Sequence, residues 1–163
     1  MRKNRGFTLI EVLVVVAIVG ILTLIGIWNY YNSIQRARQK RTMADMRAVG
    51  EAWEARAIDT HAYNAAGFTM PATTLNFDTV KGMLTPTYIR IMPSVDGWGA
   101  AFEFDTDQPV GGPAAQTYAI RSAGRDGIFQ TGSYAQGAIT DFDCDIVYSN
   151  GSFVTWPEGN QGH

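Results

Sequence analysis

Apolar residues are spread unevenly along this chain. From Val12 to Trp28 they run almost without a break, and no charge follows until Arg36. Adding Phe7 to Ile10 gives roughly the 20 residues that a helix needs to cross about 30 Å of hydrocarbon. A helix in lipid satisfies its own backbone hydrogen bonds, so this segment is expected to be helical despite its many β-branched residues. Trp28, Tyr30 and Tyr31 then fall where an interfacial aromatic belt belongs. An ordinary cleaved signal carries its apolar region before the cut. Here Gly6-Phe7 precedes that region and no Ala-x-Ala follows it, which points to an uncut membrane helix. Basic residues flank both ends, so charge asymmetry alone leaves the orientation open.

From Asn32 to Ala62 the pattern changes. Arg, Gln, Ala, Met and Glu dominate, Pro is absent, and Met46, Val49, Trp53 and Ala57 recur at steps of three and four. Ala48, Ala52 and Ala55 are expected to widen that face. One helix from Phe7 to Ala62 would be about 80 Å long at 1.5 Å per residue, with a membrane-spanning half over 7–31 and an amphipathic half over 32–62. It should end at the turn-rich stretch Tyr63–Gly67. Residues 68–87 read as a loop with a short helix near Phe77–Leu84. Four strand-like runs follow at Ala101–Phe104, Thr117–Ser122, Asp143–Ser149 and Ser152–Trp156, the last two joined by the hairpin signal Asn150-Gly151. Regions 105–115 and 123–142 read as Gly-rich loops. The expected fold is α+β: a long N-terminal helix packed on a small C-terminal antiparallel sheet, with 63–163 as a globular head.

Composition narrows the function classes. The 163 residues are 46% hydrophobic and include 8 Phe, 4 Trp and 7 Tyr, far too many aromatics for a disordered chain. Cys144 is the single cysteine, so no internal disulfide exists. The net charge of −2 argues against a nucleic-acid binder, but the average hides a polarity. Residues 1–6 carry Arg2, Lys3 and Arg5. From Arg36 to Arg56 six bases face three acids, and beyond residue 56 four bases face eleven acids. A basic neck adjoins an acidic head. That polarity suits a head-to-neck contact between copies, attraction of a cation, or simply a basic collar beside a membrane. Enzymatic chemistry finds little support: His61 and His163 are the only histidines, Cys144 reads as a small hydrophobe, and Gly97 and Gly99 lack the third glycine of a phosphate cradle. Trp98, Trp156 and Tyr148 read as core in preference to a sugar-binding surface.

Glu11 is the anomaly, a lone carboxylate beside the apolar run. At the centre of a span it would cost about 2.5–3.5 kcal/mol, less near an end. Either it reaches the headgroups or it has a cationic partner at the same depth. Cutting the chain after Gly6 would supply one, the new amine of Phe7, four residues away. Basic leader, Gly6-Phe7-Thr8-Leu9-Ile10-Glu11, then a long apolar helix, resembles the type IV pilin and type II secretion pseudopilin superfamily. The resemblance implies removal of leader 1–6 by a prepilin peptidase, methylation of Phe7, and an assembly role for Glu11. Many relatives have Pro where this chain has Trp28, which leaves a helix kink at this point open, with Gly20 and Gly26 as weak points.

The head extends the likeness. Pro93-Ser94-Val95-Asp96-Gly97-Trp98-Gly99 and Ser122-Ala123-Gly124-Arg125-Asp126-Gly127, followed by Asp145-Ile146, are similar to segments of major pseudopilins. The cysteine pair that closes many Gram-negative type IV pilins has no counterpart. The resemblance therefore implies a major pseudopilin of a type II secretion system: a filament subunit, not an enzyme, anchored in the bacterial inner membrane by one span with its head in the periplasm. Its implied partners are other copies, minor pseudopilins, the prepilin peptidase, an inner-membrane assembly platform and its ATPase. A major type IV pilin for adhesion or motility is the alternative within the superfamily, and a membrane-tethered binding module the alternative outside it.

Asp141-Phe142-Asp143-Cys144-Asp145 is the densest charge cluster in the chain. An extended backbone would set its three carboxylates on one side, about 7 Å apart. Their repulsion would be reversed by a hard cation such as Ca²⁺, with Asp126 in the preceding loop as a further ligand. The spacing is not that of an EF-hand. The resemblance points the same way, since major pseudopilins bind calcium in this loop region, with Asp126 and Asp145 the preferred ligands of the four; the plain reading is a solvated acidic edge.

Overall fold

The computed structural model describes residues 6–60, 73–108 and 115–162. The leader bases, the expected helix end at 63–67, and both histidines lie outside the described residues. Two compact units divide the chain, Met1–Gln35 and Arg36–His163. Helix α1 (Leu9–Thr60) begins in the first and ends in the second.

In the first unit α1 runs through Gly20, Gly26 and position 28 as α-helix without a break. Its β-hydroxyls add no unpaired polar groups: Thr23 donates to the Val19 carbonyl at 2.7 Å and Ser33 to that of Asn29 at 2.8 Å. The apolar side chains are bare. Leu9, Leu13 and Leu24 are 83%, 60% and 74% exposed. The helix is long and apolar enough to cross a membrane, and none of its most apolar window is buried within the chain.

The second unit is built on the rest of α1. A stripe of Gln39, Thr42, Met46, Val49, Gly50, Trp53 and Ala57 is buried. Ala48 and Ala55 do not widen it; both are exposed. At about 100° per residue they lie roughly 180–200° from Met46, on the opposite side of the helix. Gly50 lets the helix approach the sheet, since a Cβ there would come within 2.2 Å of the Tyr148 ring.

Among the described residues six strands form one sheet: β1 (Thr73–Leu75), β2 (Glu103–Thr106), β3 (Tyr118–Ser122), β4 (Gly137–Asp141), β5 (Ile146–Ser149) and β6 (Ser152–Gly162), in the order β1-β2-β3-β5-β6-β4. Helix α2 spans Phe77–Leu84, as the sequence predicts, and is capped by the Asn76 side chain accepting from the Asp78 amide. The sheet is mixed, which corrects the expectation of an antiparallel one: β4 pairs with β6 in parallel, while the other four pairings are antiparallel. Strands β1 and β4 fall in stretches read as loop. Strand β6 continues past Trp156 because the ladder tolerates Pro157 at an irregular stretch, where the register jumps between Ile139 and Asp141. Asn150 and Gly151, both at positive φ, make the predicted two-residue hairpin.

The core joins the helix stripe to this sheet. Trp53 stacks against Tyr118 at 5.1 Å and Phe104 at 6.2 Å between ring centres. Leu84, Ile120, Ile146 and Tyr148 complete it, with Trp98 packed at its margin. Tyr148 and Trp98 are thus core residues, and Trp156 is half-buried.

Candidate assembly site and acidic loop

Gly6 and Phe7 are exposed at the start of the first unit, with open space around Gly6. Thr8 and Glu11 close a reciprocal cap. The Thr8 amide and hydroxyl both donate to Glu11 Oε2 at 2.8 Å, and the Glu11 amide donates to Thr8 Oγ1 at 3.4 Å. Such a Thr-x-x-Glu box satisfies donors that the first helical turn leaves orphaned. The sequence reading gave Glu11 only a headgroup or a cation as partner. The spacing of a hydroxyl residue three before an acid, ahead of an apolar run, was the signal for this third arrangement.

In the second unit the two head segments singled out in the sequence meet. Asp96 is buried; its Oδ1 accepts from the Trp98 and Ala100 amides, both at 2.9 Å, and its Oδ2 from the Ser122 hydroxyl at 2.7 Å. Gly97 donates to Thr42 Oγ1 at 2.8 Å, and a Cβ at Gly97 would sit 2.3 Å from the Arg38 carbonyl oxygen. The 93–99 segment thus ties the Thr42 side chain of α1 to the loop that opens at Ser122, with Gly97 packed closely on the helix backbone. That loop is held equally closely: Gly124 has φ +68, and a Cβ would lie 2.6 Å from the Phe142 carbonyl oxygen.

The four acidic candidates separate into two groups. The backbone turns at Phe142–Cys144 in place of extending, so alternation does not align Asp141, Asp143 and Asp145. Arg125 takes both oxygens of Asp143 at 2.6 Å and lies 3.9 Å from Asp141. This bidentate grip holds the Asp143 carboxyl below the usual carboxylate range. Asp145 is buried instead, and burial pushes its pKa up against the hydrogen bonds it receives from Tyr134 and the Gln130 amide. Among the described residues its Oδ1 has no hydrogen-bond partner. Asp126 is exposed, accepts from the Ile128 amide at 2.9 Å, and repels Asp145 electrostatically. Among the described residues no three His, Cys, Asp or Glu side chains gather as a metal group. The sequence did not single out Arg121. Its nearly buried guanidinium contacts Glu103, Tyr134 (2.8 Å), Asp105 (3.6 Å) and Asp145 (4.0 Å), and stacks over Phe129. Cys144 is half-buried, and burial raises its pKa, so the thiol stays protonated.

A long helix just after a Gly-Phe junction, bare and apolar in its first part and packed on one sheet in its second, defines a pilin-like chain. The prokaryotic N-terminal methylation motif family matches residues 1–27. The type II secretion system core protein G of Dickeya chrysanthemi is 27% identical over 172 positions, covering 99% of this chain and 92% of that protein. Its counterpart in Vibrio cholerae is 30% identical over 106 positions, covering 64% of this chain and 72% of the relative. The type IV major pilin protein PilA of Myxococcus xanthus is 45% identical, but over 47 residues, 29% of this chain. No solved structure matches the chain. The chain belongs to the type II secretion system core protein G family.

Proposed function

We propose that this chain is the major structural subunit of a type II secretion pseudopilus. It is made as a precursor, cut between Gly6 and Phe7 by a prepilin peptidase, methylated on Phe7, and held in the bacterial inner membrane with its head on the periplasmic side. The observation that carries this reading is the first unit itself: a span whose apolar side chains find no partner within the chain, with Glu11 as its sole carboxylate. Cleavage places an ammonium four residues from Glu11, and pairing it with the Glu11 of the same or a neighbouring copy removes the cost of a buried charge as the helices pack together. Minor pseudopilins, an assembly platform and its ATPase are the further partners this role requires. The type IV pilin alternative is supported by matches over about a third of this chain or less, whereas the core protein G match to the Dickeya chrysanthemi protein covers 99% of it. Mass spectrometry of the mature protein is expected to find residues 1–6 absent and one methyl group on Phe7. Residues 1–6 still attached would end the proposal.

The same reading assigns calcium to the acidic loop, with Asp126 and Asp145 as its carboxylate ligands beside loop carbonyls. Support comes from the unpartnered, buried Asp145 Oδ1 and the repulsion between the two acids. Asp141 and Asp143 fit less well, being engaged by Arg125. Bound cation would offset the charge that burial disfavours on Asp145. Thermal unfolding of the full chain in detergent should then fall in midpoint when chelator is added. The stabilisation is about 2.7 kcal/mol where free calcium is 100 times Kd. Asp145→Asn should abolish the difference, and an unchanged midpoint in the unsubstituted chain would reject calcium.

A further inference from the structure

The basic neck carries a groove that the filament reading leaves unused. On the second unit's part of α1, Arg36, Lys40, Met43 and Arg47 repeat at steps of four, three and four, forming one stripe along the helix. The stripe borders β6: the Arg47 guanidinium lies 5.5 Å above the Phe153 ring. Towards the stripe's start, Arg36, Gln39, Lys40 and Met43 face Pro157 and Gln161 across a cavity of about 270 Å³. Its wall is fixed. Gln39 Nε2 donates to Gln161 Oε1 at 3.3 Å, while Gln161 Nε2 donates to the Ile139 carbonyl at 2.7 Å. Among the described residues no acidic side chain lines the cavity and Lys40 has no ion pair. The result is a fixed, cationic recess below the roughly 300 Å³ at which drug-sized ligand pockets begin, suited to a small anionic group.

We propose that this groove binds the phosphate headgroup of an anionic phospholipid in the leaflet where the membrane helix emerges. Charge and connectivity select that occupant. Arg36 follows the exposed Tyr31 by five residues, so the chain can separate them by at most about 18 Å in any conformation. Aromatic belts lie at headgroup level, and bases this close to a span meet the negative surface potential of anionic lipid. A headgroup held by Arg36 and Lys40 would anchor the subunit at a fixed depth while it waits in the bilayer. It would have to be released when the helix leaves lipid. This inference rests on the membrane-anchored reading alone and needs no particular filament.

The test uses the full chain in nanodiscs of phosphatidylcholine with or without phosphatidylglycerol, with retained lipids counted by native mass spectrometry. Preferential retention of phosphatidylglycerol is expected. It should fall about fivefold when either Arg36→Gln or Lys40→Gln is introduced and about thirtyfold in the double variant. Lys40→Arg should keep the preference, and Lys81→Gln, far along the sequence in α2, should not alter it. Both neck residues are exposed, and an unchanged circular dichroism melt confirms folding of the variants. Equal retention of the two lipids, or a preference indifferent to the double variant, overturns the proposal. Displacement of the lipid by millimolar inorganic phosphate overturns it too, since the groove would then be a soluble-anion site. If the double variant loses contact between copies and keeps its lipid, the groove serves the acidic head of a neighbour and the proposal also fails. Filament yield is scored separately, so a chain that keeps phosphatidylglycerol without polymerising would count against the filament reading and not against this one.

Discussion

The two halves of α1 share a backbone and differ in what their side chains are for. Between Met46 and Ala57 the apolar residues recur every three or four positions, and the structure buries that stripe against six strands. Between Leu9 and Tyr31 apolar residues occupy nearly every position, and the chain buries none of its most apolar window. Periodic hydrophobicity marks a helix that faces its own domain on one side; hydrophobicity all round marks one whose partner is lipid or another copy. Polar residues divide the same way. Asp96 in the head is held in part by Ser122, far along the sequence, whereas among the described residues Glu11 is satisfied by the neighbouring Thr8.

The contrast is broken most forcefully at Trp53. Trp53→Ala is expected to cost the head about 3–5 kcal/mol in chemical denaturation, as for other large core truncations. Val16→Ala should leave that transition in place and weaken only assembly. Equal destabilisation by the two would erase the distinction between the halves. A smaller effect is expected from the glycines. Gly50→Ala crowds the buried Tyr148 ring, at a cost of about 1–3 kcal/mol, partly offset by the gain in helix propensity of up to about 1 kcal/mol. Gly20→Ala meets open space and should leave head unfolding unchanged.

Protonation offers a finer probe, confined to the head. Burial raises the pKa of Asp105 and Asp145 above their unfolded values, so between those two values the folded state binds more protons. Head stability should rise as pH falls towards the ordinary aspartate range near 4 from above. Asp143 acts oppositely. Its lowered pKa means that the stability from Arg125 is present above the ordinary range and is lost as pH falls through the depressed value. Denaturation midpoints across pH should therefore pass through a maximum. Asp105→Asn should flatten its upper limb, and a midpoint rising steadily with pH would contradict the burial of these groups.

Legibility followed the range over which each feature is determined. The helix stripe, the short helix at Phe77–Leu84 and the Asn150-Gly151 hairpin depend on neighbours a few residues apart, and each is where the sequence puts it. Three-residue β1 is too short to show a period. Strand β4, Gly137–Asp141, carries one large apolar residue, Ile139, among Gly, Ala, Thr and Asp, and its order comes from parallel pairing with Thr155–Pro157 of β6, some 18 residues away. The acidic cluster was visible by composition, but its division was not: Arg125 selects Asp143 from 18 residues away, and the turn at Phe142–Cys144 sends Asp145 inward. At Glu11 the carboxylate stands out for its surroundings, while its cap with Thr8 is written in the three-residue spacing alone.

That cap also sets the decisive comparison. If Glu11 only closes the helix end, Thr8→Val, which removes the hydroxyl and keeps the carboxylate, should impair the protein as much as Glu11→Leu. The most direct measurement is filament yield for both variants, after mass spectrometry has confirmed cleavage before Phe7 and a melt has confirmed a folded head. The account predicts that Glu11→Leu is processed, inserted and folded but forms no filaments, while Thr8→Val still assembles. Filaments from Glu11→Leu at the unsubstituted yield would contradict it.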